Sequence, residues 1–205
     1  MFRRRPCLRL LALAPWIASQ ARAQATARVV YVPTNLVGAI VGAEGGSFVE
    51  VLIEDQLANN VIRLGDGPPV RIDTALLTKG SGKASLRFLD DPRNAPKLGG
   101  TVRDLLIQAI RDREAAIVAN HRAWTHPFAR TILAWQRKLE RSKLRGQRVR
   151  DVHGRIYLLE WAGAIVDPNA TNLALTSLSS VPNDAASPTL SDYRSYLDTL
   201  VAALS

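Results

Sequence analysis

The stretch Ala27-Arg-Val-Val-Tyr-Val-Pro-Thr-Asn-Leu-Val-Gly-Ala-Ile-Val-Gly-Ala-Glu-Gly-Gly-Ser-Phe-Val-Glu-Val-Leu-Ile53 decides the fold class. Residues 27–32 are β-branched and aromatic and stop at Pro33, which is the pattern of a strand. Thr34 is a helix-capping residue, and Leu36, Val37, Ile40 and Val41 recur at helical spacing up to Gly45-Gly46. From Phe48 to Ile53 the chain is again β-branched and alternating. Strand, helix and strand within so few residues predict a parallel α/β unit.

Outward from this unit the reading becomes looser. Leu64-Gly-Asp-Gly-Pro-Pro69 and Lys79-Gly-Ser-Gly-Lys83 carry turn chemistry between short apolar pieces, with strands expected near 70–72 and 84–89. Asp91-Pro92 reads as a helix start, because aspartate can cap and proline suits the first helical position. After an interruption at Gly99-Gly100, with Thr101 as a candidate cap, apolar positions continue at helical spacing toward Leu144. Pro127 is expected to kink or divide that run. Short strands are expected at 148–152 and 164–166, a helix between Ile156 and Gly163, a polar loop over 167–188, and a last amphipathic helix from Leu190.

The N-terminus predicts export. Arg3, Arg4 and Arg5 precede an apolar run from Leu8 to Ala18, and Ala21-Arg22-Ala23 offers small residues for cleavage before Gln24. The run is too short and too interrupted to span a bilayer, so a soluble periplasmic product without stable membrane insertion is expected. Cys7 is the sole cysteine and would leave with the signal, so residues 24–205 could form neither a disulfide nor a thiolate metal site. Five arginines and no acid leave too, which lowers the formal charge from +9 to +4. That modest excess does not predict nucleic-acid binding.

The polar constellations point away from catalysis. Gly80-Ser-Gly-Lys83 lacks the earlier glycine of a phosphate loop, since Leu77 stands there. The serines and Asp151-x-His153 lack a Gly-x-Ser-x-Gly elbow. Asp90 and Asp91 are neighbours that point apart, which gives no acid/base pair and leaves Asp91 as a helix cap. His121 and His126 lie about 140° apart around a helix and read as exposed helix residues. Seven Lys or Arg with one acid between Arg137 and Arg150 read as a solvated helix face. No enzyme is expected.

Taken in order, these pieces resemble the zinc- and manganese-type periplasmic solute-binding proteins of bacterial ABC metal importers. Three segments carry the likeness: Val29–Val41 with Gly45-Gly-Ser-Phe-Val-Glu-Val51; Leu89-Asp-Asp-Pro-Arg-Asn-Ala95; and Trp135–Glu160, with Leu144-x-Gly146, His153, Tyr157-Leu158 and Trp161-x-Gly163. The resemblance implies an α/β fold of two small Rossmann-like lobes joined by a long helix, each lobe reduced. It divides the chain into a signal peptide (1–23), an N-terminal lobe (24–100), a helical linker (101–146) and a truncated C-terminal lobe (147–205). It further implies metal uptake, with zinc or manganese as cargo and the importer's membrane subunit as partner. The family binds metal through three histidines and a carboxylate, and here only His153 stands at a ligand position. Arg87 occupies a second one, and a small anion near Arg87 and His153 is the alternative ligand. A non-metal-binding accessory or interaction protein on the same scaffold is the alternative function.

Overall fold

The computed structural model describes residues 27–58, 60–72, 87–170 and 176–205. The signal segment, Cys7, the Gly80–Lys83 turn and the strand expected from residue 84 to 86 lie outside the described residues.

The opening unit forms as its sequence dictates. Strand β1 (Arg28–Val32) buries Val30 and Val32 completely, and it pairs in parallel with β2 (Val49–Ile53), Val30 facing Val51. Helix α1 (Asn35–Gly45) connects them. Its cap is doubled: Thr34 Oγ1 accepts the Val37 N–H at 3.2 Å, while the Asp184 carboxylate accepts those of Asn35 and Leu36 at 2.9 and 3.0 Å. A carboxylate at this end satisfies two orphan donors and opposes the helix dipole. The helix stops where Gly46 takes a φ of 54°, a conformation open to glycine at little steric cost.

Strand β3 (Val61–Leu64) was not expected from the sequence, since its four residues sit among turn-forming neighbours. It pairs antiparallel to β1 and to β4 (Pro69–Arg71), giving the sheet order β2-β1-β3-β4. Two antiparallel strands thus extend the parallel unit at one edge, and Arg63 lays its guanidinium 3.9 Å from the Tyr31 ring centre across that junction.

The helical stretch that follows breaks elsewhere than expected. Helix α2 (Asn94–Ala109) runs straight through Gly99-Gly100, and the chain turns at Ile110–Arg113 before α3 (Glu114–Leu139). Pro127 lies inside α3 without ending it. Its ring is on the exposed side, so losing one N–H is offset by the apolar stripe Ile117, Trp124, Phe128, Ile132, Trp135 and Leu139, which is buried along the whole helix. Gly99 stays helical because tertiary packing needs its missing side chain. An alanine Cβ there would lie 2.5 Å from both Glu44 Oε1 and the Trp124 ring.

Beyond α3 a second, two-stranded parallel sheet joins β5 (Arg148–Val149) to β6 (Ile165–Val166) through α4 (Ile156–Trp161). Phe88 and Leu89, the end of the strand expected over 84–89, instead form a single 3₁₀ turn with Asp90. The last helix, α5 (Leu190–Leu204), returns to pack on both α1 and α3. Buried side chains from both sheets and all five helices belong to one continuous core. The class is mixed α/β with two small sheets. Among the described residues, no helix is long and apolar enough to cross a membrane.

Candidate functional site

Two of the three stretches that carry the family resemblance, around Asp90 and His153, meet in space. The turn Phe88–Asp90 is held at every point: Asn94 Nδ2 donates to the Phe88 carbonyl at 2.7 Å, and the Tyr193 hydroxyl donates to the Leu89 carbonyl at 2.8 Å. Asp91 accepts the Arg93 N–H at 3.0 Å, a local turn that leads the chain into α2. Asp90 is wholly enclosed. Arg155, just before α4 and 1% exposed, places Nη1 at 3.2 Å from Asp90 Oδ2 and 2.9 Å from the Tyr196 oxygen. The Tyr196 hydroxyl donates a short hydrogen bond to Asp90 Oδ1. Arg155 Nη2 donates to the carbonyls of Val181 and Pro182 at 3.0 and 2.8 Å.

Burial pushes the Asp90 carboxyl up from its ordinary range, while the Tyr196 hydrogen bond and the Arg155 and Arg87 charges oppose that shift. Burial likewise raises the phenols of Tyr196 and Tyr193, with the negative charge of Asp90 adding to it. The cluster is therefore an internal ion pair with both acid oxygens satisfied, tying the turn before α2 to the start of α4, the 181–182 segment and α5.

His153, the sequence-predicted metal ligand, stands at the edge of this cluster, half-buried. The Asp151 carboxylate accepts the N–H groups of His153 and Arg155 at 3.1 and 2.9 Å, and the His153 carbonyl accepts from Arg87 Nη1 at 3.3 Å. The expected proximity of Arg87 and His153 is thus present, and it runs through the backbone. These residues do not fit a zinc or manganese ion. One imidazole is available, the nearest carboxylates are engaged by Arg155, Tyr196 and backbone N–H groups, and a guanidinium sits alongside. Among the described residues, no group of three or more His, Cys, Asp or Glu is placed to hold a metal.

A second polar cluster was missed in the sequence. His121, read there as an exposed helix histidine, is instead packed against α1, with Nδ1 at 2.7 Å from Oε1 of Glu44, whose side chain has no exposed surface. Trp124 Nε1 donates to the same oxygen at 2.8 Å, and Asn120 Nδ2 donates to the Glu44 carbonyl at 3.1 Å. Glu44 Oε2 has no hydrogen-bond partner. Burial pushes the Glu44 carboxyl up, against its bonds to His121 and Trp124 and the nearby Arg103 charge. His126 is exposed, as expected. The available clue was that Glu44 is the only charged residue of an otherwise apolar helix.

A further open space lies outside the two ion-paired clusters. A cavity of about 570 Å³ lies between α1, α3 and the beginning of α5, bordered by Trp124 and Arg194. Comparisons with protein-family models, with curated proteins and with solved structures find no match to this chain.

Proposed function

We propose that this chain is an exported, non-enzymatic binding protein of the periplasm. Its scaffold is a reduced version of the two-lobed, Rossmann-like one of the metal-importer solute-binding proteins that its sequence resembles, and it acts without a metal ion. The observation that carries this reading is the Arg155–Asp90–Tyr196 cluster. It joins two of the segments on which the resemblance rests, and beside it Arg87, where the family has a ligand histidine, donates to the His153 carbonyl. A guanidinium remains charged under all ordinary conditions, so it repels a divalent ion and holds the adjacent acids in its own service. Of the two functions the resemblance implies, the accessory or interaction protein is therefore favoured over zinc or manganese delivery to an importer's membrane subunit.

The test is metal content and zinc and manganese affinity of the protein purified from the periplasmic fraction, beside a His153→Ala variant. Well below one equivalent of metal in both, with equal weak affinities, is expected. One tightly bound equivalent that disappears in His153→Ala would restore the metal-uptake function and sink this one. Recovery of the protein in the cytoplasmic fraction, with residues 1–23 still attached, would remove the compartment.

A further inference from the structure

The cavity between α1, α3 and α5 is built by two helix faces that share one spacing. It is bordered by Ala39, Gly42 and Ala43 of α1 with Gly46 just past the helix end, and on α3 by Asn120, Ala123, Trp124 and Pro127. Both sets follow the i, i+3, i+4, i+7 rule that brings residues to one side of a helix. At such positions a packed helix pair places large apolar side chains. Here the α1 side offers only alanine and glycine to Asn120, Ala123, Trp124 and Pro127, and the space is left open. Its volume falls within the roughly 300–1,000 Å³ typical of small-molecule sites.

The walls are held in place. Asn120 and Trp124 are both tied to Glu44, one through its backbone carbonyl and one through its carboxylate, so α3 cannot slide to close the gap. On the third side, Arg194 Nη2 donates to Thr131 Oγ1 of α3 at 2.7 Å, and Thr189 caps α5 by accepting the Asp192 N–H at 3.1 Å. Arg194 is the only charged residue on the wall. Asp192, two positions earlier, is bound to Ser187 and Thr189 and does not border the space. Apolar walls, one indole and a single cation define the chemistry of an occupant: a small apolar body with one carboxylate.

We propose that this cavity binds an amphipathic monocarboxylate, its chain or ring lying along Trp124 and the small-residue seam and its acid group paired with Arg194. The body would recover the dispersion contacts that the unfilled seam forgoes. The head group would form a charge-assisted bond with a guanidinium already fixed by Thr131.

The experiment is isothermal titration of the full chain with octanoate and with 1-octanol at neutral pH. Saturable one-to-one binding of octanoate is expected, with octanol at least about tenfold weaker, since a hydrogen bond to a charged group contributes on the order of 1.5–3 kcal/mol. Arg194→Gln should reduce octanoate to the octanol level and leave octanol unchanged. Ala43→Leu, checked for an unchanged melting temperature, should abolish both. No saturable octanoate heat overturns the proposal, as does an octanoate preference that survives Arg194→Gln, or full affinity in a folded Ala43→Leu. Arg194 is partly exposed and outside the core, so its arm remains decisive even where Ala43→Leu loses stability.

Discussion

Asp90 and Glu44, the two fully enclosed acids among the described residues, are treated differently. Both are raised by burial, and both sit where three elements meet. Asp90 receives one donor on each oxygen, from Arg155 and from Tyr196. Glu44 receives its two side-chain partners, His121 and Trp124, on a single oxygen, while the other has none. The first arrangement commits a carboxylate to a permanent cation. The second leaves a carboxyl, raised by burial, with a spare oxygen that can carry a proton. One site fixes the halves of the chain together, and the other can respond to its surroundings.

The sharpest way to break this contrast is Arg155→Met. It leaves Asp90 enclosed without its cation, and removing one partner of a buried pair costs about 3–5 kcal/mol, to be read from denaturant unfolding. A double variant, Arg155→Met with Asp90→Leu, should recover part of that loss, because the penalty belongs mainly to the stranded charge. Failure of the single variant to lose at least about 2 kcal/mol would mean that the pair adds little.

Gly99→Ala should cost less. The new methyl would meet Glu44 Oε1 and the Trp124 ring at 2.5 Å, an overpacking penalty of about 1–3 kcal/mol set against about 1 kcal/mol gained in helix propensity. A stabilised Gly99→Ala would show that the Glu44 cluster is looser than its contacts imply.

The smallest effect is the most specific. A carboxyl raised on folding binds a proton more tightly in the native chain, so its contribution is fully present below its ordinary value of 4.5 and fades as pH rises through the raised native value. Glu44→Gln should therefore flatten the decline in melting temperature above that point, with the share due to Asp90 remaining. An unchanged pH profile in Glu44→Gln would remove Glu44 as the titrating group.

How far the sequence foretold all this depends on where each element draws its information. The unit from β1 through α1 to β2 was legible because strand alternation, the Thr34 cap and the Gly46 stop are all local. So were α4, β6 and α5. Strand β3 escaped because four residues between turns carry little periodicity, and it exists through pairing with β1. Propensity also misplaced the helix break: Gly99 and Pro127 look like interruptions, yet burial against Glu44 and along the α3 stripe overrides them. The candidate sites were the least legible. Arg155 finds Asp90 sixty-five positions away and Tyr196 forty-one positions away, and nothing in the linear spacing announces either. His121 read as exposed because its partner lies seventy-seven residues upstream.

The doubled cap of α1 has a kinetic consequence. Asp184, which closes the first turn of the first helix, lies about 150 residues further along, and the tyrosines that complete the Asp90 cluster come later still. Loops of that length close late, and folding that depends on them is slow. An emerging chain therefore has its first helix unfinished until nearly all of it is present. Removal of α5 alone should leave a species that collapses without reaching the native core. Under the export proposed above, a fold that waits for its last helix suits passage through a membrane channel before folding is complete.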